Sequence, residues 1–417
     1  MKMKGIGKIE YGIIIVVILI IAGVVAYLYW PRQEVAAEPI KIGAELPLTP
    51  PGAYMSGAEM RMAMELAVEE INEAGGVLGR NITLIIEDDH GTPEGGVAAM
   101  QKLITDHGVV AVVGAFHSSV TLAAIEVAHD QHIPYLTLAP WSYDITAKGY
   151  PEVFRLGLCN AIHFTNVANF LVEQNRTKVA LVVENTDFGL GAADNIKEVL
   201  DEHGIEYQEF ALDMGTTDFT PIIGTLQEFG PDAVVNVFTG LAGYTLVSQL
   251  YDAGIAPTHD CMLVYPLDEA IAPEYWETLG EKGKYVVIYT MFHPAATLSA
   301  KTQGFIQKFQ DRYDRMPTVV CLQAYDGIYV MCEAIKQAGS TDPDAIIEAL
   351  ENMDYTGVLG RIQFSMGPQE GAPDYMYHNM KNPPDFLLQY TEVDQLSTEA
   401  PIIWPSEYAT ASYTPPP

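Results

Sequence analysis

Hydrophobic positions along this chain follow two alternating rhythms. Short runs in which nearly every residue is apolar, such as Val109 to Val113 and Val179 to Val183, read as strands covered on both faces. Between them, apolar residues recur at helical spacing. From Ser56 to Ala74, Met62, Leu66 and Ile71 share one face, while Arg61, Glu65, Glu69 and Asn72 are polar. Gly75-Gly76 closes that helix, and Thr92-Pro93-Glu94 supplies a cap, a first-turn proline and a first-turn carboxylate for the next, which stops at Gly108. Strands are predicted at Ile40 to Ala44, Ile82 to Glu87 and Tyr135 to Leu138, with a further helix from Ser118. The alternation restarts after Asn160, with strands at Val179 to Val183, Tyr207 to Leu212, Ala233 to Val237, Met262 to Val264 and Val286 to Tyr289. Helices fill the intervals. Two helical patterns without a strand between them, Thr302 to Tyr313 and Val319 to Ala338, precede strands at Arg361 to Phe364 and Phe386 to Tyr390. Such order predicts an α/β protein of two doubly wound parallel-sheet lobes, with the chain crossing back between them.

One stretch obeys neither rhythm. Residues 11 to 31, YGIIIVVILIIAGVVAYLYWP, carry no charge, and as a helix they would reach about 31 Å, close to the thickness of a bilayer's hydrocarbon core. Lys2, Lys4 and Lys8 precede the stretch, so residues 1–10 are expected in the cytoplasm and all after Trp30 outside it. The reading is a transmembrane anchor over 11–31 followed by a linker at 32–38. A cleaved signal peptide ending near Val35-Ala36-Ala37 is the alternative. Both export the same globular part.

Composition narrows what that part meets. The net charge of −32 disfavours nucleic acid and anionic lipid as partners. Four cysteines, Cys159, Cys261, Cys321 and Cys332, are too few for a disulfide framework and read as mostly buried thiols. Asn81-Ile-Thr83 and Asn175-Arg-Thr177 are glycosylation acceptor patterns.

Most catalytic signatures are missing. The first strand–helix turn, Gly43-Ala44-Glu45-Leu46-Pro47-Leu48, lacks the dinucleotide glycines, and there is no phosphate-cradling loop, nucleophile elbow or zinc helix. Asp88-Asp89-His90 has the composition of a metal site but the position of a capped strand end. The expectation is a protein that is not an enzyme and needs no cofactor or metal. The richest loop is Gly114-Ala115-Phe116-His117-Ser118-Ser119, which follows a buried strand and opens a helix. Its backbone N–H groups and two hydroxyls suit a carboxylate, although ordinary serine capping would look the same.

Those blocks, IKIGAELPLT, AVEEINEAGGVLGRNITLIIEDD, VVAVVGAFHSSVTLAAIEVAHDQHIPYLT, DITAKGYPEVFRL and KVALVVENTDFGLG, together resemble the branched-chain amino acid type of substrate-binding protein of ABC transporters, from Ile40 to about Trp404. The resemblance implies a clamp whose lobes are joined by three crossing segments and which works with permease subunits and a cytoplasmic ATPase. The expected division is 39–159 in the first lobe, 160–289 in the second, 290–358 in the first again, 359–406 in the second, and a tail at 407–417. It further implies that Ser118 meets a ligand carboxylate, with Ser119 beside it, and that Ala139 offers backbone. Phe188 stands where the family often has tyrosine, Leu241 at another frequently aromatic or polar position, and Tyr265 near the family's ammonium-binding acid. Trp141 replaces an expected small hydroxyl residue, with Ser142 next to it. Ammonium recognition then falls to Asp268, Glu269, or the ring of Trp141 or Tyr265. Tyr54, Phe116 and Tyr143 are further candidates. These departures from the family pattern keep an amide, urea or an aromatic acid open as cargo beside an amino acid. A sensor ectodomain built on the same clamp is the rival role.

Overall fold

The computed structural model describes residues 7, 12, 15–22, 38–50, 52–296 and 299–417. Residues 1–38 and 39–417 are two separate units. In the first, residues 15–22 are helical and exposed, and the rest of the apolar span expected at 11–31 lies largely outside the described residues. Among the described residues no helix is long and apolar enough to cross a membrane.

The second unit holds two seven-stranded sheets. From one edge, the first runs Ile82–Asp88, Ile40–Leu46, Ala111–Gly114, Tyr135–Thr137, Val153–Arg155, Tyr377–Met380 and Phe364–Met366. The second runs Glu206–Leu212, Lys178–Glu184, Ala233–Val237, Met262–Tyr265, Val287–Thr290, Phe386–Gln389 and Ile402–Trp404. In each, the first five are parallel, because each strand is followed by a helix that returns the chain to the same end. The central strands are buried throughout, as their unbroken apolar runs require.

The chain passes between lobes between Arg155 and Asn160, between Thr290 and Ala300, and between Met380 and Phe386. The last passage corrects the expected division, which returned the chain to the second lobe at 359. Asn379 instead pairs with Arg155 and Phe364 with Met380, which extends the first sheet. Phe154 packs on Phe364 at 5.2 Å and stacks on His378 at 3.9 Å, so long-range side-chain contacts hold these short strands in the first lobe. The four cysteines are free and buried. Asp88 and Asp89 serve as turn acceptors: Asp88 takes the Leu48 N–H at 2.9 Å and the Thr49 hydroxyl at 2.7 Å, and Asp89 takes the Gly91 N–H at 2.6 Å.

Candidate functional site

The carboxyl ends of both sheets' strands face one cavity of about 470 Å³ between the lobes, the crevice where open α/β sheets place ligands.

The first-lobe wall comes from three strand ends, Gly91 and Pro93 following strand Ile82–Asp88. Ala111–Gly114 stops at a glycine because a Cβ there would meet the Glu45 carbonyl oxygen at 2.3 Å. Phe116, His117, Ser118 and Ser119 follow on the wall, and no side chain caps the first turn of helix Ser118–Asp130. Ser118 has other work. Its Oγ accepts the backbone N–H of Trp141 at 3.1 Å and of Ser142 at 3.0 Å, which fixes the loop after strand Tyr135–Thr137. With both acceptor positions taken, the hydroxyl proton is left to donate. His117 Nε2 accepts the Ala53 N–H at 3.1 Å, so the ring proton sits on Nδ1. Burial pushes the His117 pKa down to about 4, so the ring is neutral. His117 Nδ1 and Trp141 Nε1 are buried without a hydrogen-bond partner among the described residues. The Trp141 ring is held by His163 at 4.8 Å, Tyr289 at 5.3 Å, Phe188 at 5.9 Å and Phe164 at 6.1 Å.

The second-lobe wall draws on four strand ends, Met214 following strand Glu206–Leu212 among them. Lys178–Glu184 leads into Asn185, Thr186, Asp187 and Phe188, where Thr186 caps helix Asp187–Glu202 by accepting the Gly189 N–H at 3.2 Å. Glu184 is satisfied on both oxygens, by the Thr186 hydroxyl at 2.8 Å and by the N–H and hydroxyl of Thr239 at 3.2 and 2.9 Å. After Met262–Tyr265 come Leu267, Asp268 and Glu269, all lining the cavity. Glu269 Oε1 accepts the Gly240 N–H at 2.9 Å, whereas Glu269 Oε2 and Asp268 Oδ1 are buried and unpartnered among the described residues. Burial, and then the neighbouring Glu269 charge, raises the Asp268 pKa well above the usual range. Burial likewise lifts Glu269 to about 7, against the lowering effect of the Gly240 N–H. The first-lobe wall therefore offers unmatched donors, and the second-lobe wall unmatched acceptors.

Polar contacts also join the lobes. The Asp187 N–H donates to Ser119 Oγ at 3.3 Å across the cleft, while within the second lobe Asn160 Nδ2 donates to the Phe188 carbonyl at 3.0 Å. Arg315 bonds Glu59 of the first lobe and Glu274 of the second.

Of the residues expected at the site, Ser118, Ser119, Ala139, Trp141, Phe188, Asp268, Glu269 and Phe116 lie on the wall. The other five do not. Tyr265 is fully buried behind it, its hydroxyl donating to the Phe238 carbonyl at 3.1 Å and fitting against Gly243, where a Cβ would come within 2.0 Å of it. Leu241, in the first turn of helix Gly240–Asp252, is 52% exposed and outside the cavity. Ser142 is buried behind the wall, donating its N–H to Ser118 and accepting Arg155 Nη2 on its carbonyl at 2.6 Å. Tyr143 precedes the short helix Asp144–Ala147 and Tyr54 opens helix Tyr54–Glu73, neither reaching the cavity. Glu184, Thr186, Asp187 and Thr239 line it without having been singled out, and His117 does so from the loop read as the richest. Their common signal is position at or just past the carboxyl end of a strand.

Comparison with known proteins agrees with this geometry. The leucine-, isoleucine-, valine-, threonine- and alanine-binding protein of Pseudomonas aeruginosa is 28% identical over 352 residues, spanning 82% of this chain and 89% of the relative. The Leu/Ile/Val-binding protein homolog 3 of Brucella melitensis is 29% identical over 313 residues, or 74% and 82% of the two chains. Among solved structures, the branched-chain amino acid transporter substrate binding protein LivJ of Streptococcus pneumoniae, in complex with isoleucine, superposes with a TM-score of 0.75 at 23% identity, covering 88% of this chain and all 100% of that one. A solute binding protein of an ABC transporter from Rhodopseudomonas palustris, in complex with 3,4-dihydroxybenzoic acid, gives 0.74 at 22% identity, covering 87% and 95%. At those identities the structural likeness speaks for the fold. The periplasmic binding protein family matches residues 39–378, and with two lobes closing on a cavity at their strand ends, this chain belongs to that family.

Proposed function

We propose that the chain is the extracytoplasmic solute-binding component of an ABC importer. It captures a small polar molecule of amino-acid type between its lobes and delivers it to a membrane permease driven by a cytoplasmic ATPase. The observation that carries this reading is the division of unmatched polar atoms across the cleft. His117 and Trp141, whose Nδ1 and Nε1 lack partners among the described residues, line one wall, and Asp268 and Glu269, whose Oδ1 and Oε2 lack them, line the other. Unpaired buried groups of this kind cost free energy until a ligand pairs them, and a molecule with an oxygen end and a nitrogen end pairs both sets. Relatives named for aliphatic amino acids support the class. The aromatic side chains of Phe116, Trp141 and Phe188 on the wall also suit a flat ligand. The role is carriage rather than catalysis.

In this reading the apolar stretch at 11–31 tethers the binding domain to the outer side of the membrane, where a captured solute stays near its permease. Fractionation is expected to leave the full chain with the membranes, and recovery of a new N-terminus at Glu38 would instead identify a cleaved signal. Binding is tested by thermal shift against amino acids, amides, urea and aromatic acids. A ligand at 100 times its dissociation constant adds about 2.7 kcal/mol to stability. Failure of every class to stabilise the protein would overturn the proposal.

A further inference from the structure

The charges on the cavity wall are unbalanced. Glu184, Asp187, Asp268 and Glu269 line it, and among the described residues no lysine or arginine does. Glu184 is fully hydrogen-bonded within the second lobe, and Asp187 is exposed, its backbone N–H donating to Ser119. Asp268 and Glu269 differ from these. They are 7% and 4% exposed, consecutive in sequence, and each keeps one oxygen with no partner among the described residues. The donors opposite, the Ser118 hydroxyl, His117 Nδ1 and Trp141 Nε1, are all neutral, so they satisfy a carbonyl or hydroxyl as readily as a carboxylate.

With the cleft empty, burial favours the protonated form of both acids; a cationic nitrogen beside them favours the charged form, and the carboxylate that a zwitterion brings in with it opposes that gain. An anion brings only the opposition. A cation brings only the gain, and the aromatic side chains lining the same cavity favour a cation further. We propose that the cargo is net positive, with a cationic nitrogen group held by Asp268 and Glu269 together in the cavity walled by Phe116, Trp141 and Phe188. Cations then bind in preference to zwitterions and anions of the same shape. This rests on the reading of the cleft as a solute site.

A matched series tests it: phenylalaninol, phenylalanine and 3-phenylpropionate each carry one ring and an oxygen end, with charge +1, 0 and −1, phenylalaninol being the amine of the series. With the full chain held in mild detergent, calorimetry is expected to show the amine binding about tenfold tighter than phenylalanine, and the acid weakest. Asp268→Asn and Glu269→Gln preserve shape, and each should cut the amine's advantage by about tenfold. Thermal melts confirm that the variants fold, and should one fail to, the wild-type order decides. Phenylalanine binding as tightly as the amine, the acid binding tightest, or an unchanged ratio in folded variants would overturn the inference. Binding of leucine but none of the series would overturn the inference alone. Absence of binding by the series, leucine and benzoate together would overturn the solute-site reading as well.

Discussion

The two walls of the cleft carry opposite polar groups. On the first lobe the Phe116 to Ser119 loop joins the Ala139–Trp141 loop through a single hydroxyl, Ser118 Oγ, with Gly91 and Pro93 beside them. On the second lobe the wall is gathered from four strand ends, at Glu184 to Phe188, Met214, Thr239, and Leu267 to Glu269. The first wall is donor-rich and neutral; the second is acceptor-rich and acidic. One wall thus sets where an oxygen end sits, the other what charge the opposite end must carry. Changes on the first wall should alter affinity and rigidity together, and changes on the second should alter selectivity and pH response.

The largest effect is expected at Trp141, which lines the cavity and is packed by four rings. Trp141→Ala should cost about 3–5 kcal/mol of stability in chemical denaturation and abolish tight binding. A variant that loses binding at unchanged stability would separate the ring from the core. Next comes Ser118→Ala, which leaves the Trp141 and Ser142 N–H groups unpaired and removes a donor to the ligand. Calorimetry should show affinity weakened by about 1–3 kcal/mol, and unchanged affinity would remove Ser118 from the site.

The second wall answers to pH. Glu269 has its folded pKa raised from 4.5 to about 7, chiefly by burial, and Glu59 and Asp326 are raised to about 7 for the same leading reason. Between the unfolded and folded values the folded protein binds more protons, so stability falls as pH rises through that window. The melting temperature of the ligand-free protein should therefore drop from about pH 5 to about pH 7.5. Glu269→Gln should make that drop shallower, and an identical pH profile would deny that burial raises the Glu269 pKa. Smaller still is Ser119→Ala, which removes the Asp187 N–H bond across the cleft. It should weaken ligand affinity by about 0.5–1.5 kcal/mol. Leu241→Ala should leave affinity unchanged, since Leu241 lies outside the cavity.

The same contrast separates what was legible in the sequence from what was not. Strand and helix rhythm sufficed for two doubly wound lobes, because central parallel strands must be apolar on both faces. The Phe116 to Ser119 part of the first wall was legible because its residues are neighbours in the chain. The second was misregistered: Tyr265, the last residue of its strand, turns into the core, and the cavity begins at Leu267. Leu241 fails for a local reason, since the first turn of its helix presents it to solvent. The short strands Phe364–Met366 and Tyr377–Met380 escaped because partners hundreds of positions distant, not local pattern, assign them to the first sheet. Helix Pro343–Glu351 carried a readable start, Asp342 accepting the Ala345 N–H at 3.3 Å before a first-turn proline, that went unread.

The central claim is that one ligand pairs the donors of one wall with the acceptors of the other. A crystal structure of the protein grown with its tightest-binding solute tests it most directly. The account predicts an oxygen of that solute within hydrogen-bond distance of Ser118 Oγ or His117 Nδ1, and a nitrogen within reach of Asp268 and Glu269. A ligand bound in the reverse orientation, or outside the cleft, would contradict it.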